Sequence, residues 1–328
     1  MRILIISSKG RGLGVAYKLQ QEGHEVVLKI SDPYANVGNG IVPRSHGSIR
    51  QILDKKIDYV LVFGFQFGDL SAYLMSKGYP VIGDSPFSEI METNDEYRQM
   101  TEGLLQQEKE NPLEGFVQCG WFTGKSFLPN FYQGRVHQRQ FPGEIGAYVP
   151  SSGASLLQVA GHPSGLTRAI ERPLRSSKYV GPVIVHGGKL SCYFHPGIAE
   201  CMLVMLRQPL GEFFHLLGEG KARITKNKDW AVAIQISVPP YPNHKIARQA
   251  KGIGLLGSSW ETSEGLKYLW MEDVMREGDT FFCAGTSGCL GYVSAHGRTL
   301  KETRRRAIRS IERMDVANIQ FRSDIGEG

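Results

Sequence analysis

Apolar residues are unevenly spaced along the chain. An apolar run at Ile3 to Ile6 leads into a turn carrying Gly10, Gly12 and Gly14, then a helix-period stretch from Val15 to Gln21, then a second β-rich run from Glu25 to Leu28. "DYVLVFGF" (Asp58 to Phe65) predicts a third strand, "LSAYLMSKG" a helix stopped by Gly78, and "PVIGD" a fourth strand. Strands and helices alternating over short links predict a parallel sheet covered by helices. A polar run from Glu89 to Glu110 reads as a helix, which Pro112 ends.

The pattern then changes. "GFVQCGWFTGKSFLP" predicts two strands around a Thr123-Gly124 turn, and "RQFPGEIGAYVPSSG" a glycine- and proline-rich loop. "PVIVHGGKLSCYFH" predicts a hairpin with Gly187-Gly188 at its tip. "ECMLVMLRQPLGEFFHLLGEG" reads as helix, break, helix, and "WAVAIQISVPPYP" as a strand ended by prolines. The segment "GKARITKNKD" reads as an exposed connection. Strands at Thr280 to Ala284 and Gly288 to Ser294 and a basic helix from Leu300 to Met314 complete the chain. The whole predicts an α/β class protein with an α+β core.

Composition narrows this only a little. A length of 328 residues allows two or three domains, and a formal charge of +6 fits an anionic small ligand or weak nucleic-acid contact. The arginines Arg304, Arg305, Arg306, Arg309 and Arg313 share a helix whose apolar side is Leu300, Ala307, Ile308, Ile311 and Met314, so they read mainly as a solvated face. Aromatic residues are not interleaved with them, which makes nucleic acid the minority reading. The five cysteines contain no C-x-x-C pair and are expected to be reduced and packed in the core. With no visible targeting peptide and no apolar run long enough for a membrane span, a cytoplasmic setting is expected. His186, His195 and His215 lack metal-ligand spacing, and no metal site is expected from the histidines.

The second half of the chain carries a family likeness. "TGKSFLP", "HQR" and "GEIGAYVP" resemble a strand, the D-H-K-R motif and the G-G-M-G-A-Y-S-P motif of phosphoribosylamine–glycine ligase. "YVGPVIVHGGKL", "AECMLVMLR" and "VAIQISVPPYP" resemble that family's Y-x-G-x-L-Y-x-G-L hairpin, its P-E-T-Q-P-I-M-L-R helix and its V-V-M-A-A-x-G-Y-P strand. "FFCAGT", "GCLGYVSAHGRTLKETRRRAIRSIERM" and "IQFRSDIG" resemble its C-terminal domain, in the same order. The resemblance implies an ATP-grasp architecture: an N-terminal Rossmann-like domain over residues 1–88, a reduced grasp core over 89–245 and a C-terminal domain over 246–328. It implies an activity in purine synthesis, with ATP and magnesium as cofactors and a phosphorylated ribosyl ligand as partner.

Several positions depart from that family. The polar run ends near Glu110 and "NPLEGFVQCGW" follows at once, leaving no room for the lid that closes over ATP. Ser191 and Tyr193 stand where the family has the Glu and Asn that bind magnesium, and neither suits a hard cation that requires oxygen ligands of the carboxylate or carbonyl kind. Ile198 takes the place of the motif's Asp, Gln138 that of the Lys in D-H-K-R, and Gln66 falls near a family Glu. ATP and magnesium are therefore expected to bind weakly or not at all, and the cofactor of this chain is left open.

The expected site follows. Lys9, Gly10, Arg11, Gly12 and Gly14 form a turn at a helix start, which favours a phosphate group. His137, Arg139 and Glu144 supply a titrating group, a cation and a carboxylate within eight residues and are the catalytic candidates. Glu200 matches the family's Glu and is a ligand-binding candidate; a helix-start acid explains it equally. Two function classes remain: a ligase-like protein with altered chemistry, or a transferase or sugar-phosphate-binding protein that uses no ATP, in nucleotide or nucleic-acid modification.

Overall fold

The computed structural model describes residues 1–32, 35–53, 56–95, 99, 115–161, 164–186 and 189–327, with 164–169 described by backbone alone. It has the mixed α/β architecture expected from the pattern, built on three sheets.

The first sheet is parallel and four-stranded: β1 (Arg2–Ser7), β2 (Glu25–Ile30), β3 (Tyr59–Phe63) and β4 (Val81–Gly83), in the order β2-β1-β3-β4. Leu4, Ile6, Val60 and Val62 face one helical layer with Leu74, while Ile3, Ile5, Tyr59 and Leu61 face the rest of the molecule. Burial on both faces accounts for the near-continuous apolar runs. The order reverses between β1 and β3, so a crevice outside their carboxyl ends is a natural ligand position.

The second sheet has nine strands, all pairing antiparallel. It comprises β5 (Phe116–Thr123), β6 (Phe127–Phe141), β7 (Ile145–Ala160), β8 (Val180–His186), β9 (Lys189–Ser191), β10 (Trp230–Ser237), β12 (Leu269–Met271), β15 (Cys289–Gly297) and β17 (Gln320–Phe321). The third sheet, ordered β13-β14-β11-β16, joins β11 (Gly254–Leu256), β13 (Val274–Glu277), β14 (Thr280–Cys283) and β16 (Asp315–Val316). The helix Leu210–Gly218 wedges between the first two sheets. Phe213 and Phe214 lie fully buried against Trp121, with ring centroids 5.0 and 6.4 Å away, and Phe214 reaches Tyr59 at 6.5 Å.

Two expectations change. The stretch read as a loop around Pro142 and Gly146 is a long β6–β7 hairpin, with a short turn at Pro142–Glu144 where Gly143 and Glu144 take positive φ. Proline and glycine here mark a turn inside a hairpin, while the flanking residues keep their ladder. The polar run is not one unbroken helix: the helix begun by Pro86 closes at Asn94, and Asp95 and Gln99 are helical again beyond that break. The rest of that run, including Glu110, lies mostly in residues 100–114, and the expected absence of a lid falls on this segment, outside the described residues. Gly187 and Gly188 are also outside, although the strands they join do pair, His186 opposite Lys189. All five cysteines are buried free thiols. Among the described residues no helix is long and apolar enough to cross a membrane.

Candidate functional site

The glycine turn after β1 is shaped by its neighbours in the protein. Gly10 and Gly12 adopt φ of +93° and +84°, which side chains other than glycine rarely take. A Cβ on Gly10 would lie 2.6 Å from the Glu272 carbonyl oxygen, on Gly12 2.6 Å from the Phe63 ring, and on Gly14 2.6 Å from the backbone of Trp270 and Met271. All three glycines thus admit close packing against β3 and against β12 and the residues that follow it. Ser7 Oγ accepts the Gly10 N–H at 3.1 Å, and Gly12 serves as the N-cap of the helix Leu13–Gln21. The Arg11 and Gly12 N–H groups have no hydrogen-bond partner among the described residues.

This packing sets Arg11 at the β1/β3 crevice. Among the described residues its guanidinium makes no ion pair, and its charge acts on Tyr193, His195, Glu200, Tyr241, His244 and Glu272. These six come from distant parts of the chain. Stacking joins the two sides: Phe63 lies on Phe194 at 4.1 Å between ring centroids, Phe65 approaches Tyr193 at 6.2 Å, and Tyr193 stacks on His195 at 5.9 Å.

Protonation here is unusual. Burial, reinforced by the charge of Glu272, pushes the Glu200 carboxyl up to about 8, against the opposing pull of Arg11 and of the Gly197 N–H it accepts at 2.6 Å. Burial raises Glu272 as well. His195 goes the other way, lowered to about 4 by burial, with Arg11 and His186 adding to the effect. Its Nδ1 faces the Pro196 carbonyl at 2.9 Å and so must carry the proton, leaving Nε2 as a neutral acceptor. Burial, with Lys9 and Arg11, lowers His244. At neutral pH the surroundings of Arg11 are thus a fixed cation, a protonated carboxyl and uncharged imidazoles.

Asp273 stabilises this wall from behind. Its fully buried carboxylate accepts N–H groups from Thr286 at 2.9 Å and from Ser287 and Gly288 at 2.7 Å each. It thereby ties the turn before β15 to the residues after β12, next to Glu272.

The expected site residues fall into two groups. Arg11 and Glu200 come together, with Lys9 exposed beside them and acting on His244. His137, Arg139 and Glu144 sit on the β6–β7 hairpin, where His137 Nδ1 donates to Glu144 Oε1 at 2.9 Å. Arg322, itself only 2% exposed, reaches Glu144 at 2.5 Å and Asp324 at 2.6 Å. Hydrogen bonding from Arg322, with His137 adding to it, holds Glu144 below the usual carboxylate range. Arg139 is exposed, donates to the Gly146 carbonyl at 3.2 Å and lies over the Tyr148 ring. At the root of this hairpin Gln140 donates to the Tyr241 carbonyl at 3.3 Å, and Tyr241 is one of the groups around Arg11.

Ser191 and Tyr193, expected from the resemblance to stand in place of magnesium ligands, offer no carboxylate or carbonyl side chain. Ser191 Oγ donates to Glu92 Oε1 at 2.6 Å, and Tyr193 offers a half-buried phenol. Among the described residues no group of three or more His, Cys, Asp or Glu side chains is arranged to hold a metal ion.

Sequence reasoning passed over Glu272, Tyr241 and His244. The signal for Glu272 was present: in "LWMEDVM" two acids interrupt a run that is otherwise wholly apolar, and acids so placed are held inside.

No protein-family model matches the chain, and no curated protein matches it. Solved structures do. Phosphoribosylamine–glycine ligase from Thermotoga maritima is 14% identical with a TM-score of 0.68, over 99% of this chain and 100% of that one. Urea carboxylase from Kluyveromyces lactis is 11% identical with a TM-score of 0.61, over 97% of this chain and 30% of that one. Phosphoribosylglycinamide synthetase from Anaerococcus prevotii is 8% identical with a TM-score of 0.54, over 96% of this chain and 98% of that one. At such identities the likeness establishes the ATP-grasp fold of ligases and carboxylases for this chain, and nothing about its substrate.

Proposed function

We propose that the chain is a ligase-like protein of nucleotide metabolism that binds a phosphorylated ribosyl ligand in the β1/β3 crevice, with Arg11 as its anchor. The observation that carries this reading is Arg11 itself, a cation without an ion-pair partner among the described residues, placed where ligands bind in open α/β sheets. The free N–H groups of Arg11 and Gly12 at the helix start favour a phosphate. Glu200 keeps its proton at neutral pH, so it donates to an anion instead of repelling it. The Nε2 acceptor of His195 and the phenols of Tyr193 and Tyr241 suit the hydroxyls of a sugar.

The ATP and magnesium chemistry of the relatives is, in this reading, lost or replaced. Serine and tyrosine stand at the magnesium positions, and phosphoryl transfer depends on metal and fixed cations to neutralise developing charge. That same observation favours the second reading, a transferase or sugar-phosphate-binding protein that uses no ATP. Calorimetry separates the cases. Ribose 5-phosphate is expected to bind without ATP, and Arg11→Gln to weaken it about 10- to 100-fold, the worth of a charge-assisted hydrogen bond. Equal affinity in a folded Arg11→Gln variant, or no binding at millimolar ribose 5-phosphate, refutes the anchor. ADP release in the presence of ATP, glycine and phosphoribosylamine refutes the loss of ligase chemistry. In the ligand-binding role Glu144 and Arg139 are proposed to shape the crevice through Gln140 and Tyr241.

A further inference from the structure

A group of cations lies on a face that shares no residue with the Arg11 crevice. Two depressions there, of about 540 and 570 Å³, adjoin at His296 and Arg306, which line both, and are treated together as one groove. The first runs along the helix Leu300–Glu312, the second along the connection before β10.

Some cations of this groove are compensated. Arg207 pairs with Asp229, and Arg306 pairs with Glu302 at 2.5 Å. Lys226, Lys228, Arg298, Arg309 and Arg313 are exposed and make no ion pair among the described residues, while a single further acid, Glu264, lines the groove. Cations therefore outnumber acids along it, seven to three.

The arrangement also has a direction. Arg306, Arg309 and Arg313 follow one side of the helix for two turns, about 10 Å. Tyr268 and His296 line the same groove, with ring centroids 6.5 Å apart. The helix sequence alone has no aromatic residue among its arginines; the fold supplies these rings from before β12 and from β15. Cations tracking a backbone beside aromatic faces are the means by which proteins hold single-stranded nucleic acid without reading its sequence.

We propose that this groove binds a single-stranded nucleic acid through its phosphates, with Tyr268 and His296 as stacking positions. The site is independent of the Arg11 crevice and of any ligand held there.

Fluorescence anisotropy with a labelled twelve-nucleotide single strand tests this across a series of salt concentrations. Five phosphate contacts on a single strand predict a slope of log affinity against log salt of about −3 to −4. The variant Lys228→Gln/Arg309→Gln/Arg313→Gln is expected to shrink that slope by about 2 and to lower affinity at least tenfold. Arg50→Gln/Arg135→Gln/Arg172→Gln removes the same charge from exposed positions outside the groove and is expected to bind as the parent does. Absence of binding overturns the proposal, as does equal loss in both triple variants. A mononucleotide that binds as tightly as the oligomer, a duplex that binds more tightly, or binding to anionic phospholipid vesicles in place of the oligomer overturns it too.

Discussion

Replacing a helical glycine with alanine ordinarily stabilises a protein by about 0.5–1 kcal/mol, because glycine is conformationally freer when unfolded. At Gly14 the sign is expected to reverse. A Cβ there falls 2.6 Å from both Met271 N and Trp270 Cα, and 2.8 Å from the Trp270 carbonyl carbon. Non-bonded carbons prefer about 3.5–4.0 Å, so the helix must retreat by roughly an ångström. The obstructing atoms are backbone of β12, hydrogen-bonded to β15, and they cannot rotate aside as a side chain would. Overpacking of this kind costs about 1–3 kcal/mol, which exceeds the propensity gain and leaves a net loss of about 1–2 kcal/mol. Urea unfolding followed by tryptophan fluorescence reads the change, with Trp270 at the contact itself. Gly218→Ala is the control: this helical glycine has nothing closer than 3.4 Å to a new Cβ, and its substitution is expected to be neutral or stabilising. A Gly14→Ala protein as stable as its parent, or more so, would show that the turn has slack and that its glycines are not explained by packing.

Asp273→Asn places an amide NH₂ among backbone donors, and losing one or two charge-assisted hydrogen bonds is expected to cost about 3–5 kcal/mol in urea unfolding; a cost below about 1 kcal/mol would contradict the clamp. Glu200 has a folded-state pKa of about 8, raised mainly by burial, so the folded protein holds a proton that the unfolded chain releases near the ordinary glutamate value. Its contribution to stability is complete below that ordinary value and declines as pH rises through about 8, and Glu200→Gln is expected to flatten the fall; an unchanged pH–stability curve would place Glu200 in contact with bulk water. Arg322→Met leaves Glu144 and Asp324 without their shared cation and is expected to lower the unfolding midpoint, the loss being small because Glu144 is 57% exposed; no change at all would show that the hairpin tip is held by other means.

Much of this architecture was legible in the chain. Strands β1, β3 and β4 announce themselves because both faces of their sheet are covered there, which makes them nearly apolar throughout, and the break between the helices Ile198–Val204 and Leu210–Gly218 is written in Pro209. The β6–β7 hairpin was less legible, since its glycines and prolines mark both a turn and tolerated interior positions of a long twisted ladder. The short strands β11, β12, β13, β16 and β17 carry too few residues for a period to show. The candidate site divides in the same way. Arg11 stood out because it sits in a recognisable turn, and Glu200 because of its motif. Glu272, Tyr241 and His244 take their meaning from partners far along the chain, and no local pattern encodes such a partnership. The glycines of the turn were noticed for a ligand's sake, but the atoms that forbid their side chains belong to Phe63 and to Trp270 through Glu272.

That last contact bears on how the protein comes into being. The turn that carries Arg11 leaves the ribosome some 260 residues ahead of the backbone against which it is moulded, a wait of roughly 15–50 s at ordinary rates of synthesis. Gly38 and Asn39 likewise complete their hydrogen bonds only with Val274 and Arg276. Through that interval the nascent glycine turn and the loop at Gly38 and Asn39 lack the backbone that covers them. A message truncated before Trp270 would yield a chain with Arg11 and five of the groups around it but without Glu272 and the backbone that shapes the turn.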